Sequence, residues 1–282
     1  MIILRGREVS DKLKIQVQNM LLDLKEIPCL AIVRVGEQAD DISYEKGAIK
    51  KMKEFGLRAE TFTFPEEITD DEFKREFEKI NKDPRIKGIL VLKPLPQQIV
   101  QEDIERMIDP MKDLDGISPV NIAKVFSGDT TGFAPCTAEA VLAVLRLNQI
   151  SLAGKRAVVV GRSMVVGKPL AMLLLQENAT VTVCHTKTED LPEICKRAQI
   201  LITAAGCRGL VNREFVGKEA IVIDVGLNVD DNGHLCGDVD FEDIKEVALM
   251  ATPVPGGIGA VTTSVLARRL VSAALAQEKH VK

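Results

Sequence analysis

The sequence predicts a two-domain α/β protein whose second domain is a Rossmann-like, dinucleotide-binding sheet. Three observations carry that expectation. Apolar strand-like runs alternate with amphipathic helical patterns from end to end, and the alternation restarts near Pro135. The run Val158-Val159-Val160 then opens into a glycine turn that leads into a helical pattern, Gly161-Arg162-Ser163-Met164-Val165-Val166-Gly167-Lys168-Pro169. Regular βα alternation is the signature of parallel sheets covered by helices. A chain of 282 residues is long enough for two such domains, each with its own core.

In chain order, Cys29–Val35 reads as a buried strand and residues 40–55 as a helix closed by Gly56. Residues 59–65 form a second strand. Thr69 or Asp70 is placed to cap a helix running to Lys82, and residues 88–92 form a third strand. After Pro135 come a helix (138–147), a strand (157–160), the glycine turn with its helix, and strands at 179–184, 200–204 and 220–225. A last helix, 263–276, is expected to return to the first domain. The expected domains are residues 1–135, with 260–282 packing back on them, and 136–259. No internal repeat or low-complexity segment interrupts this pattern.

Bulk composition removes several function classes. The formal net charge is −4, with Lys and Arg interspersed among acids, so the concentrated basic face of a nucleic-acid binder is missing. No apolar run is long enough to cross a bilayer. The first residues lack the pattern of a secretion signal, so the expected location is cytoplasmic. The six cysteines are widely spaced, without a CxxC pair, and there are only three histidines, so neither a disulfide framework nor a metal site is expected.

Within the glycine turn, Gly161 permits a tight bend and Gly167 lets the helix approach the strand, while free N–H groups at the helix start can receive a phosphate. The segment is not a GxGxxG match, since Ser163 stands near the second glycine position, and an ordinary βα turn would share these features. The following strand runs into His185-Thr186-Lys187-Thr188, with no carboxylate before Glu189 to hold a ribose diol. Arg162 offers a planar donor fork suited to a 2′-phosphate, which favours NADP over NAD. Arg162 and Lys187 could also be ordinary solvated charges.

Several segments in this order and spacing resemble, over nearly the whole chain, the bifunctional methylenetetrahydrofolate dehydrogenase/methenyltetrahydrofolate cyclohydrolase (FolD-type) family. They are Pro94-Leu95-Pro96, Lys112-Asp113-Leu114-Asp115-Gly116, Pro135-Cys136-Thr137, the turn from Gly161 to Pro169, Ile223-Asp224-Val225-Gly226-Leu227-Asn228, Gly237-Asp238-Val239, and the run from Thr252 through Pro253-Val254-Pro255-Gly256-Gly257 to Gly259. The resemblance implies a homodimer, a folate-binding first domain, a tetrahydrofolate derivative held in the cleft between the domains, and NADP on the second. By position, Tyr44 and Asp115 take the catalytic and substrate-binding places, with Tyr44 stacking on the folate and Asp115 holding the pterin edge. Val91, Pro255, Gly256 and Gly257 line the substrate side, and Gly161, Arg162, Ser163, Gly167, Thr186 and Leu227 fall at cofactor positions. Tyr44 could otherwise be a half-buried aromatic, and Asp115 a turn-stabilising acid before Gly116.

The chain departs from the family at one coupled place. The family's cyclohydrolase lysine, one helical turn after the tyrosine, is Ala48 here; its glutamine partner is Leu92, and the serine three residues before the tyrosine is Asp41. Lys46 lies about 200° around the helix from Tyr44 and should point away. The expectation is therefore an NADP-dependent methylenetetrahydrofolate dehydrogenase that has lost the cyclohydrolase reaction and depends on a separate cyclohydrolase. Smaller departures are Ala138 and Ala260. The competing readings are a fully bifunctional enzyme in which Lys46, Lys50 or Lys93 takes over, a non-catalytic folate- or nucleotide-binding protein, and a shikimate-type dehydrogenase. The last shares the glycine turn but has no reason to carry Thr252-Pro253-Val254-Pro255-Gly256-Gly257.

Overall fold

A computed structural model describes residues 1–280, which divide into two compact units: residues 13–134 with the C-terminal segment from Thr263, and residues 1–12 with 135–262. The chain opens with strand β1 (Ile2–Ile3) and helix α1 (Gly6–Leu21). In the first unit β2 (Cys29–Val35), β3 (Arg58–Phe64) and β4 (Ile86–Val91) form a parallel sheet in the order β3-β2-β4. Val33 of the central strand lies opposite Phe62 on one side and Val91 on the other. Every residue of β2 is buried, as its mainly apolar run predicts for a central parallel strand, and Arg34, the one polar interruption, is buried with the rest.

Helix α2 (Ala39–Glu54) joins β2 to β3 and ends where Gly56 takes a φ of +79°. Helix α3 (Asp70–Lys82) starts at a capping box: the Thr69 hydroxyl accepts from the Glu72 N–H, and the Glu72 carboxylate accepts from the Thr69 N–H. Asp70, Asp71 and Glu72 fill its first turn and Lys79 and Lys82 its last, matching the helix dipole. Phe73, Phe77 and Ile80, spaced i, i+4, i+7, are its buried residues and belong to one core with Cys29, Ala31, Val33, Ile89 and Val91. Phe73 stands edge-on to Phe64, with ring centroids 5.4 Å apart, and stacks on Phe77 at 6.1 Å. Helices α4 (Gln101–Met107) and α5 (Pro119–Ser127) follow. The final helix begins earlier than its apolar pattern suggests and extends further, and it returns to this unit: the Gln277 side-chain amide donates to the carbonyls of Lys87, at 2.8 Å, and Met111, at 3.1 Å.

The second unit contains α6 (Cys136–Leu147), β5 (Arg156–Val160), α7 (Gly167–Gln176), β6 (Thr180–Cys184), α8 (Leu191–Lys196), β7 (Ile200–Thr203) and β8 (Ile221–Asp224). The hairpin β9 (Asn228–Val229) and β10 (Leu235–Cys236), strand β11 (Met250–Ala251) and helix α9 (Gly259–His280) complete the chain. The main sheet runs β1-β11-β8-β7-β5-β6, parallel throughout. From β5 the chain passes to β6 on one side and β7 on the other, so the switch point of this doubly wound sheet lies between β5 and β7.

The N-terminus departs from the expected division. Ile2 and Ile3 pair with Met250 and Ala251, so residues 1–12 group with the second unit and not with residues 13–134. A strand of two residues has no periodicity to read, and only its partner reveals it. Of the cysteines, Cys29, Cys136, Cys184 and Cys195 are buried and all six are free thiols. Among the described residues there is no cluster able to hold a metal ion and no helix long and apolar enough to cross a membrane.

Phe73 lies at the centre of the first unit's aromatic group. Phe73→Ala is expected to cost about 3–5 kcal/mol, read as a lower urea midpoint for a protein that still folds.

Candidate active site

In the first unit the candidate site residues come from the C-terminal end of β4, from α2, and from the loop before α5. Tyr44 and Ala48 are one helical turn apart on α2, so they share a face; Tyr44 is partly exposed and Ala48 is fully buried. Leu92 follows β4 and is bound to the central strand by its N–H to the Val33 carbonyl at 2.9 Å. Val91 and Leu92 are both buried. The positions compared with the family's lysine and glutamine are thus two buried apolar side chains. Asp41 is half-buried; burial pushes its carboxyl above the usual range, and the nearby Arg34 charge partly opposes that.

The candidate replacement lysines are placed differently from one another. Lys46 and Lys50 are exposed, whereas Lys93 is ion-paired with Glu105 at 3.2 Å. Asp115 is half-buried and precedes Gly116, whose φ is +62°. The loop carrying it is fixed by buried Asp113, which accepts from the N–H groups of Ile117 (3.0 Å) and Ser118 (2.8 Å) and from the Asn121 side chain (2.9 Å).

In the second unit the strand ends of β5, β6, β7 and β8 lie along one edge of the sheet. Gly161 leaves β5 with a φ of +133°, and a Cβ there would lie 2.3 Å from the Ala204 carbonyl oxygen. A Cβ on Gly167 would lie 2.1 Å from the Gly161 carbonyl oxygen. Both glycines are therefore required by close backbone approach, as the sequence pattern indicates. The Ser163 hydroxyl oxygen accepts from the Val166 N–H at 3.1 Å, which leaves the hydroxyl proton free to be donated outward.

Arg162, Ser163 and Thr186 are exposed at this edge, and Leu227, 70% exposed, presents an apolar surface beyond β8. This donor set fits a phosphorylated dinucleotide: a hydroxyl, a guanidinium and the start of α7 for phosphates, and an apolar side chain for a ring. Pro255, Gly256 and Gly257 follow β11 in the same unit. The Gly6 N–H donates to the Gly256 carbonyl at 2.8 Å, and a Cβ on Gly6 would lie 2.1 Å from the Gly257 carbonyl oxygen. A cavity of about 540 Å³ lined by Lys155, Arg156, Lys196, Arg197 and Lys218 lies at the opposite, N-terminal ends of these strands, away from the glycine turn.

Two residues that residue-by-residue reading of the sequence left without a role organise this edge. Asp238 is fully buried and accepts from the N–H groups of Ala205 (2.7 Å), Gly206 (3.2 Å) and Cys207 (2.9 Å) and from the Asn228 side chain (3.0 Å). Asp224 accepts from the N–H groups of Gly226 (2.9 Å), Asp238 (3.1 Å) and Val239 (2.9 Å) and from the Thr203 hydroxyl (3.1 Å). Burial pushes the Asp224 carboxyl up, and its backbone donors pull it back. The available signal was the pairing of each aspartate with a nearby glycine, Gly226 and Gly237, since a Cβ on either would strike one of these carboxylates. Replacing Asp238 by Asn turns an acceptor toward donors with an N–H of its own; it is expected to lower stability by about 1–3 kcal/mol, checked by urea unfolding.

Comparison with known proteins matches this arrangement to one family. Residues 4–115 match the catalytic domain of tetrahydrofolate dehydrogenase/cyclohydrolase, and residues 135–278 match its NAD(P)-binding domain. The chain is 48% identical over 274 residues to the bifunctional protein FolD of Alkaliphilus oremlandii (strain OhILAs), covering 96% of each. Among solved structures it is similar to the FolD methylenetetrahydrofolate dehydrogenase/cyclohydrolase of Campylobacter jejuni, with a TM-score of 0.95 and 38% identity over 98% of this chain and 99% of that one. It is also similar to the Trypanosoma brucei FolD enzyme complexed with NADP cofactor and inhibitor, with a TM-score of 0.90 and 32% identity over 99% of each chain. With both domain models matched and near full-length relatives on either side, the chain belongs to the tetrahydrofolate dehydrogenase/cyclohydrolase family.

Proposed function

We propose that this protein oxidises 5,10-methylenetetrahydrofolate to 5,10-methenyltetrahydrofolate with NADP and has lost the cyclohydrolase reaction. The observation that carries the reading is the pair Ala48 and Leu92, two buried apolar side chains at the positions compared with the family's lysine and glutamine. Neither can donate, accept or hold a proton. The relatives are bifunctional by name, so the proposed loss rests on this chain's own residues.

The two reactions make different demands on the protein. NADP supplies the hydride acceptor when bound. The folate's own nitrogens stabilise the cation left on the one-carbon unit, so the chain's part in oxidation is alignment. Tyr44 stacks on the folate rings, Asp115 accepts from the amino and ring N–H groups of the pterin, and Pro255, Gly256 and Gly257 line the substrate. Gly161, Ser163 and the start of α7 seat the phosphates, with Gly167 allowing the close approach; Arg162 and Thr186 take the 2′-phosphate side, and Leu227 packs on a cofactor ring. Hydrolysis of the methenyl carbon instead requires water activation and protonation of a leaving nitrogen by a positioned group, typically worth roughly 10²–10⁴ in rate. The exposure of Lys46 and Lys50 and the engagement of Lys93 by Glu105 argue against a substitute lysine. The resemblance implies a homodimer, and the apolar pair Ala48 and Leu92 implies a separate cyclohydrolase that consumes the product.

The purified protein is expected to form NADPH in strict dependence on methylenetetrahydrofolate while methenyltetrahydrofolate accumulates. Spectrophotometry that follows both species separately checks this; enzyme-dependent decay of methenyltetrahydrofolate above the spontaneous rate would refute the loss. The double variant Ala48→Lys, Leu92→Gln is expected to regain more hydrolysis than either single change, because Leu92 alone leaves the new ammonium buried and unheld.

Arg162→Ala is expected to weaken NADP about tenfold or more, corresponding to at least about 1.5 kcal/mol for a charge-assisted contact, and to leave NAD nearly unchanged. Equal losses for the two cofactors in steady-state kinetics would show that Arg162 does not read the 2′-phosphate.

A further inference from the structure

We propose that the buried Arg34–Glu45 ion pair is a positioning device that fixes the first half of α2 against the sheet and thereby sets the place of Tyr44. The inference rests on the folate-stacking role proposed for Tyr44. Its observations are independent of that role.

Helix α2 is anchored unevenly. Asp41, Glu45, Ala48 and Met52 fall at i, i+4, i+7 and i+11, a single stripe whose last two members are apolar and fully buried. Its first two members are carboxylates. The second half of this stripe is thus held by apolar packing, whereas its first half offers only charge, with the half-buried Ile42 beside it. No side chain caps the start of the helix, and Gly47 in its interior favours the unfolded backbone. Tyr44 is in this weakly supported half.

Arg34 supplies the missing anchor. It stands near the end of β2, a strand buried along its whole length. Its Nε donates to the Glu45 carboxylate at 2.8 Å, and the two side chains are only 11% and 13% exposed. A second guanidinium nitrogen, Nη1, donates to the Gly36 carbonyl just beyond the strand. One rigid, planar fork therefore joins the helix to the strand end, and its low exposure shields it from salt. Asp41, which also feels the Arg34 charge, adds to the attraction at the helix start. Glu45 is about 100° around the helix from Tyr44, so the pair grips α2 from the side and leaves the ring face clear. Neither residue needs to touch the substrate.

Tyr44 is the chain's only tyrosine and there is no tryptophan, so a ring-labelled tyrosine gives a single NMR signal that reports this residue alone. The double variant Arg34→Met, Glu45→Leu removes both charges of the pair, so neither partner is left buried without the other. It is expected to raise the KM for methylenetetrahydrofolate about tenfold, with kcat at saturation within about twofold and the NADP KM unchanged. Its Tyr44 signal, recorded without ligand, is expected to broaden or split. An unchanged folate KM together with an unchanged Tyr44 signal overturns the proposal, as does a loss of thermal stability that moves neither. If the double variant does not fold, Glu45→Ala, which removes the acceptor on α2 while the Gly36 carbonyl still engages the guanidinium, serves with the same readouts and the same deciding outcomes. Should the unmodified protein form no NADPH from methylenetetrahydrofolate, the proposed reaction fails, while the ligand-free Tyr44 signal still decides the role of the pair.

Discussion

A loop that leaves the end of a parallel strand carries backbone N–H groups that no neighbouring strand can satisfy, and the candidate site residues of the second unit sit on or beside such loops. Buried N–H groups left unpaired are costly, so each loop needs an internal acceptor. The chain meets that need with buried aspartates. Asp238 holds Ala205, Gly206 and Cys207 beyond β7, Asp224 holds Gly226 and Val239 beyond β8, and Asp113 holds Ile117 and Ser118 beyond the Asp115 turn. These carboxylates are taken up by backbone donors, and they hold the loops that carry or adjoin candidate site residues.

The same constraint explains why glycine marks the edge of the second sheet. Where a carboxylate or a carbonyl must approach the backbone closely, a Cβ has no room, and Gly161, Gly167, Gly226 and Gly237 all stand at such points. The cofactor turn is therefore a packing solution before it is a binding motif. Exposed Arg162, Ser163, Thr186 and Leu227 project from a frame whose glycines and aspartates are already committed to each other.

The first unit handles charge differently. Where the family resemblance leads one to expect a lysine supported by a glutamine, α2 and β4 offer Ala48 and Leu92, and the charged pair lies elsewhere on the same helix, in Arg34 and Glu45. An arginine in such a pair stays protonated and so cannot exchange protons with a substrate, but it can hold geometry. This division is consistent with the function proposed above, in which the chain's part is alignment.

Much of this was determined by sequence alone. Mainly apolar runs such as Cys29–Val35 and Val158–Val160 favour burial on both faces and so parallel strands, and the sequence placed the start of α3 at Thr69 or Asp70, between which the structure chose Thr69 as the cap. Helical spacing put Tyr44 and Ala48 on one face, and the order of the motifs named the family. Tertiary structure decided what depends on partners distant in the chain. Ile2–Ile3 became a strand only by meeting Met250–Ala251, and Gly6 matters only because the Gly256–Gly257 backbone comes against it. Arg34 reads in sequence as a polar break in an apolar run; it can be buried there because Glu45, eleven residues later, arrives at hydrogen-bond distance to neutralise it. Local patterns record which face of an element must be buried, whereas the partner that satisfies a buried charge or N–H is chosen by how the chain returns on itself.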